Sequence, residues 1–129
     1  MNKTMLLSFL DKIALPYKAR RFVCENFNAE DIVCRLEENK EMVVNNLGDG
    51  VYLKLKNAIS IENIENFASE QQKCGVKVIS VIDKEYPESL KEIVDFPICL
   101  YYKGDISLLK EKCIAIIGTR KPTFYGRDV

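Results

Sequence analysis

The segment CIAIIGTRKPTFYG, Cys113 to Gly126, runs from an apolar, β-branched stretch into a glycine, a hydroxyl and two cations. It reads as a buried strand ending at Gly118, with helix-start signals following at Pro122 and Thr123. Such a turn sets the carboxyl edge of a sheet beside a helix N-terminus, the place where open α/β folds bind anions. Gly118 has no Cβ and admits close backbone approach. Thr119 offers a hydroxyl donor, Arg120 a planar fork that matches phosphate oxygens, and Lys121 a point charge. Tyr125 offers a ring on which a base can stack, a contact that is tolerant of sequence and suits single strands. The same residues also make an ordinary turn: Thr119 or Thr123 as a helix cap, Arg120 and Lys121 as a solvated pair, Tyr125 as the first core residue of the next helix. Spacing alone leaves both readings open. Neither G-x-G-x-x-G nor the P-loop pattern is present, so the turn gives no direct support to a dinucleotide or P-loop site.

Two further runs rich in β-branched and aromatic residues lie upstream, VKVISVI (Val76 to Ile82) and ICLYYKG (Ile98 to Gly104). Near-continuous apolar runs suit strands covered on both faces, as in a doubly wound α/β sheet. Between them, a helix of one or two turns is expected around Pro87 to Ile93, because proline is tolerated in a first turn and Pro97 prevents continuation. A longer helix is expected from about Ile61 to Gln72, with Ile61, Ile64, Phe67 and Ala68 on its inner face and Gly75 as its stop. Before Asn57 the periodicity is helical in short pieces. Leu6, Phe9, Leu10 and Ile13 form one face, Tyr17, Phe22, Val23 and Phe27 a second, and Ile32, Val33 and Leu36 a third. Breaks fall at Leu15-Pro16, at Asn28, which can cap a helix containing Glu30 and Asp31, and at LGDG. The expected fold class is α/β: a small helical domain over 1–58, then the opening of a doubly wound sheet over 59–129.

Composition limits the chemistry. The 129 residues carry 19 Lys and Arg against 19 Asp and Glu, so any electrostatic function must come from local clustering. Such a cluster exists: from Lys110 onward, five cations face two carboxylates, a net +3, and the preceding residues sum to −3. The absence of histidine removes the commonest general base and metal ligand, so no Cys-His or Ser-His dyad and no zinc site is expected within the chain. The five cysteines are odd in number, widely spaced and without a C-x-x-C pair. They read as buried thiols in a reducing cytosol. The opening apolar run is interrupted by Asp11 and Lys12, so neither a membrane span nor a signal peptide is expected, and the protein is placed in the cytoplasm.

MVVNNLGDGVYLKL, Met42 to Leu55, sets Gly48 and Gly50 between two apolar helical stretches, like a degenerate helix-hairpin-helix whose turn would offer N–H groups to a phosphate. Asp49 in that turn opposes an anion. A structural turn is the favoured reading.

The run from Val78 to Gly126 closely resembles the DNA-processing protein A (DprA/Smf) family. The resemblance rests on five linked elements in order: Tyr86-Pro87 with Leu90; Asp95 and Pro97; Leu100 to Asp105; Gly118-Thr119-Arg120; and Tyr125-Gly126. It implies that 1–58 is a SAM or helix-hairpin-helix-like helical domain and 59–129 the incomplete beginning of an extended Rossmann domain that binds single-stranded DNA without catalysing a reaction, protects it, and helps to load the RecA recombinase during natural transformation. By position, it implies that Gly118, Thr119, Arg120 and Lys121 contact phosphate; it calls for no cofactor, no catalytic residue and no metal. The partners expected are single-stranded DNA and RecA, with no membrane, and a homodimer for the full-length protein.

Only eleven residues follow Gly118, fewer than a parallel crossover needs, so the chain reads as a fragment whose glycine-rich partner segment is missing. An unpaired strand edge along Cys113 to Gly118, prone to self-association, is expected. A Rossmann-type nucleotide-binding enzyme and a helical interaction module are the rival functions, since fold does not fix function.

Overall fold

The computed structural model describes residues 2–112 together with Ile114 and Gly118. Six helices precede a small sheet: α1 (Lys3–Lys12), α2 (Tyr17–Asn26), α3 (Ala29–Val33), α4 (Lys40–Leu47), α5 (Asp49–Ala58) and α6 (Ile61–Lys73). Their ends follow local chemistry. Asn28 Oδ1 accepts from the Asp31 N–H at 2.9 Å while Asp31 Oδ2 accepts from the Asn28 N–H at 3.0 Å, a reciprocal capping box that starts α3. Ser60 caps α6 through the Asn63 N–H, and Asn2 caps α1 through that of Thr4. At the far end of α6, Gly75 at φ +64° donates to the Gln72 carbonyl and Val76 to that of Gln71, which is the Schellman closure.

Helix α1 is the centre of the molecule. Thr4, Leu6, Leu7, Ser8, Phe9 and Leu10 are all buried, which requires neighbours on several sides. Leu15, Ala19, Val23, Phe27, Ile32, Val43, Leu55, Ile64 and Phe67 complete an apolar cluster that also takes in Ile98 and Cys99. Helical segments and sheet therefore share one core. The inner face expected of α6 holds for Ile64 and Phe67, whereas Ile61, the first helical residue, is more than half exposed. Cys24 and Cys99 are buried thiols as expected; Cys34 and Cys74 are exposed, since each follows the last turn of a helix at a loop.

The first two apolar runs form β1 (Lys77–Ser80) and β2 (Cys99–Tyr102). They pair antiparallel, Lys77 opposite Tyr102 and Ser80 opposite Cys99, whereas a doubly wound sheet is mostly parallel. The connection explains the difference. A parallel crossover needs a helix-length traverse of the sheet, and residues 81–98 contain only the short helix expected around Pro87 to Ile93, a five-residue 3-10 helix over Glu88–Glu92. Among the described residues the chain is thus mostly helical with a two-stranded antiparallel sheet, an arrangement compatible with the α/β class. The third strand expected over Cys113 to Gly118, and the edge it would expose, lie outside the described residues apart from Ile114 and Gly118.

The Schellman closure gives a direct test. A Cβ at Gly75 would meet no neighbouring atom within 4 Å, so Gly75→Ala is penalised by backbone strain alone, about 1–2 kcal/mol. Gly50, inside α5 and equally uncrowded, should gain up to about 1 kcal/mol on the same substitution. Urea unfolding of both variants is expected to shift the midpoint in opposite directions.

Candidate nucleic-acid interface

The segment leading to the predicted turn is held by groups that the sequence marked as motif residues. Tyr86 is buried, and its hydroxyl donates to the Pro97 carbonyl at 2.5 Å, closing the loop between β1 and β2. Pro87 caps the first 3-10 helix, Glu88–Glu92. Gly104 takes φ +95° after β2, a left-handed turn that favours glycine. Asp105 then caps a second 3-10 helix, Ile106–Lys110, by accepting from the Ser107 N–H at 2.9 Å; that hydrogen bond holds its carboxyl below the usual aspartate range. Each of these residues supports the fold.

Of the five residues expected to bind nucleic acid, only Gly118 is among those described. It is exposed, and a Cβ built there would meet no described atom within 4 Å. Thr119, Arg120, Lys121 and Tyr125 lie outside the described residues. At the helix-hairpin-helix-like turn, Gly48 at φ +85° joins α4 to α5, and Asp49 is the first residue of α5. Its carboxylate there faces the positive end of the helix dipole, so the turn supplies its own anion.

Two side-chain clusters escaped the sequence reading. Asp83 Oδ2 accepts from Thr4 Oγ1 and the Ser80 N–H, both at 2.7 Å, and from Ser80 Oγ at 3.1 Å. In the second, Tyr101 Oη donates to Asp11 Oδ2 at 3.0 Å and accepts from Ser8 Oγ at 3.1 Å; Gln71 Nε2 donates to Ser8 Oγ, and Arg20 pairs with the other Asp11 oxygen. Partners 76 to 93 residues apart leave no local signal, and a serine or threonine inside an apolar helix is easily read as filler.

Burial pushes the Tyr101 phenol up to about 12, with the Ser8 hydrogen bond opposing and the Asp11 charge adding. Burial, reinforced by Asp11, also pushes the Cys99 thiol up to about 12. Both stay protonated at neutral pH, so neither is an activated nucleophile. No group of three Cys, Asp or Glu side chains suited to a metal ion occurs among the described residues, and no helix there is long and apolar enough to cross a membrane.

With this geometry in hand, the comparisons are specific. Residues 77–129 match the protein family described as DNA recombination-mediator protein A. Over that segment the chain is similar to the DprA family. The DNA processing protein DprA of Bacillus subtilis (strain 168) is 48% identical over 56 residues, 43% of this chain and 19% of that protein. The DNA processing protein DprA of Streptococcus pneumoniae (strain ATCC BAA-255 / R6) is 46% identical over 47 residues, 36% of this chain and 17% of that protein. The matched stretches span less than a fifth of either DprA relative. No solved structure gives a significant match. The DprA segment begins at β1, so helices α1 to α6 lie outside it although they share its core.

Two outcomes follow from the buried groups. Tyr86→Phe leaves the Pro97 carbonyl without its partner and should destabilise the protein by roughly 1–3 kcal/mol, read from urea unfolding; an unchanged midpoint would remove this hydrogen bond from the fold's support. Alkali should also weaken the fold. Above the ordinary values of 9.0 for Cys99 and 10.0 for Tyr101 the unfolded chain loses protons that the folded chain keeps to about 12, so stability falls as pH rises across that window. Cys99→Ala should flatten the decline between pH 9 and 12 whatever its effect at neutral pH, as measured by unfolding at stepped pH.

Proposed function

We propose that this chain is part of a single-stranded DNA-binding protein of DNA processing, and that its Gly118-Thr119-Arg120-Lys121 turn holds a backbone phosphate with Tyr125 beside it for stacking. The observation that carries this reading is that the family match runs through β1 and β2 and on across all five of these residues. A glycine at the exposed mouth of such a turn, followed by a hydroxyl and two cations, suits phosphate chemistry without a base-reading group, so binding would be tolerant of sequence. The antiparallel pair β1–β2 would then be the lead-in to an extended Rossmann sheet continued by the third strand. On this reading the protein acts in the cytoplasm as a binder rather than an enzyme, sheltering incoming single strands during transformation and passing them to RecA.

Arg120→Ala in the intact protein tests it. The variant should keep its unfolding midpoint and bind an oligothymidylate more weakly, with the magnitude of d log K/d log[salt] lowered by roughly 0.7 for one lost phosphate contact. An unchanged affinity and slope, or equal competition by mononucleotides, would favour a nucleotide-binding pocket over a DNA track.

A further inference from the structure

A second basic feature lies among the described residues, on the cleft between the Tyr86-Pro87 turn and the 3-10 helix Ile106–Lys110. This cleft has a volume of about 230 Å³, and Lys84, Glu85, Pro87, Glu88, Leu109 and Lys110 are among its walls. The two lysines come from segments 26 positions apart and converge on the same space. Three lysines elsewhere are matched with carboxylates, Lys12 with Glu70, Lys56 with Glu37 and Lys91 with Glu88. Among the described residues no carboxylate pairs with Lys84 or Lys110. Glu88 is engaged by Lys91 at 2.7 Å, which leaves Glu85 as the opposing charge and the cleft with a net positive character.

The cleft also has an apolar shelf. Leu109 is half exposed and Pro87 half buried, beside the two ammonium groups. A free inorganic anion needs no such shelf, whereas a nucleotide unit presents a phosphate for the lysines and a sugar or base face for the leucine and proline. Position favours the same ligand as the turn. Eight residues separate Lys110 from Gly118, so the two sites lie within ~29 Å of each other.

We propose that the Lys84–Lys110 cleft is a second contact for the same single strand that the Gly118 turn engages, placing one nucleotide unit over Pro87 and Leu109. This rests on the DNA-binding reading above. The test uses the intact protein and an oligothymidylate, with affinity followed by fluorescence anisotropy between about 50 and 200 mM salt. The Lys84→Gln/Lys110→Gln double variant should weaken binding and lower the salt slope by roughly 1.4, two single-strand contacts, with the unfolding midpoint unchanged because both side chains are solvent-facing. Lys56→Gln, which removes an equal type of charge from α5, should leave the slope unaltered. If Arg120→Ala lowers the slope and the double variant does not, the cleft is excluded and the turn stands. A loss as large in Lys56→Gln as in either cleft lysine changed singly overturns the cleft as a site, since it reports overall charge. Should neither Arg120→Ala nor the double variant change the slope, the DNA-binding reading fails and the cleft with it.

Discussion

One carboxylate oxygen fixes the relation between the N-terminal helix and the sheet. Asp83 Oδ2 gathers the Thr4 hydroxyl, the Ser80 N–H and the Ser80 hydroxyl, and Thr4 and Ser80 are themselves 2.7 Å apart. Ser80 is fully buried and Thr4 nearly so, so these groups have no water to fall back on. Leaving any of them unpaired would cost about 1–3 kcal/mol, and a fully satisfied set instead holds a single geometry. Thr4 is thereby pinned to the end of β1. The rest of α1 follows from that point, because Ser8 and Asp11 stand one and two turns further along the same side and both reach Tyr101 on β2.

Helix α1 is therefore divided lengthwise. Thr4, Ser8 and Asp11, at positions i, i+4 and i+7, make a polar stripe against the hairpin, while Leu6, Phe9 and Leu10 lie on the opposite side in the apolar core. This division explains why a two-stranded sheet persists at all. An isolated hairpin is marginal in water, and here one face is closed by a helix whose hydrogen bonds also set its register. It explains too why Tyr101 is strongly perturbed although its ring edge is solvent-facing: the hydroxyl end points under α1 toward Asp11.

What the sequence revealed depended on range. The Asn28 cap, the Gly75 stop and the course of α6 were legible because each is decided within a turn of helix. The two strands were legible as strands, but their direction was not, since pairing is governed by the connection, and the connection is held by contacts distant in sequence, such as Tyr86 to Pro97 and Asp83 to Thr4. Thr4, Ser8 and Asp83 were not legible as partners; their meaning is created by the fold. Cys34 and Cys74 were misread for a related reason, because each stands at the C-cap of its helix, where the chain turns out to a loop.

The family signature divides along the same line. Tyr86, Pro87, Pro97, Gly104 and Asp105 carry much of the resemblance, and the structure occupies all of them in closing a loop, capping a 3-10 helix or making a left-handed turn. Their order reflects what this fold segment uses them for, so it carries the likeness to the DprA family while saying little about a ligand. The chemistry is left to the residues that the fold does not consume. Gly118 is exposed with no described contact to satisfy, Lys84 stands in the turn before Pro87, and Lys110 ends the 3-10 helix that Asp105 caps. The structural motif residues thus act on function at one remove: by fixing the Tyr86 turn and the Ile106–Lys110 helix, they set the spacing between cations that arrive from distant parts of the chain. A polyanion is recognised by such spacing, since a single surface lysine contributes little and several held in register contribute together.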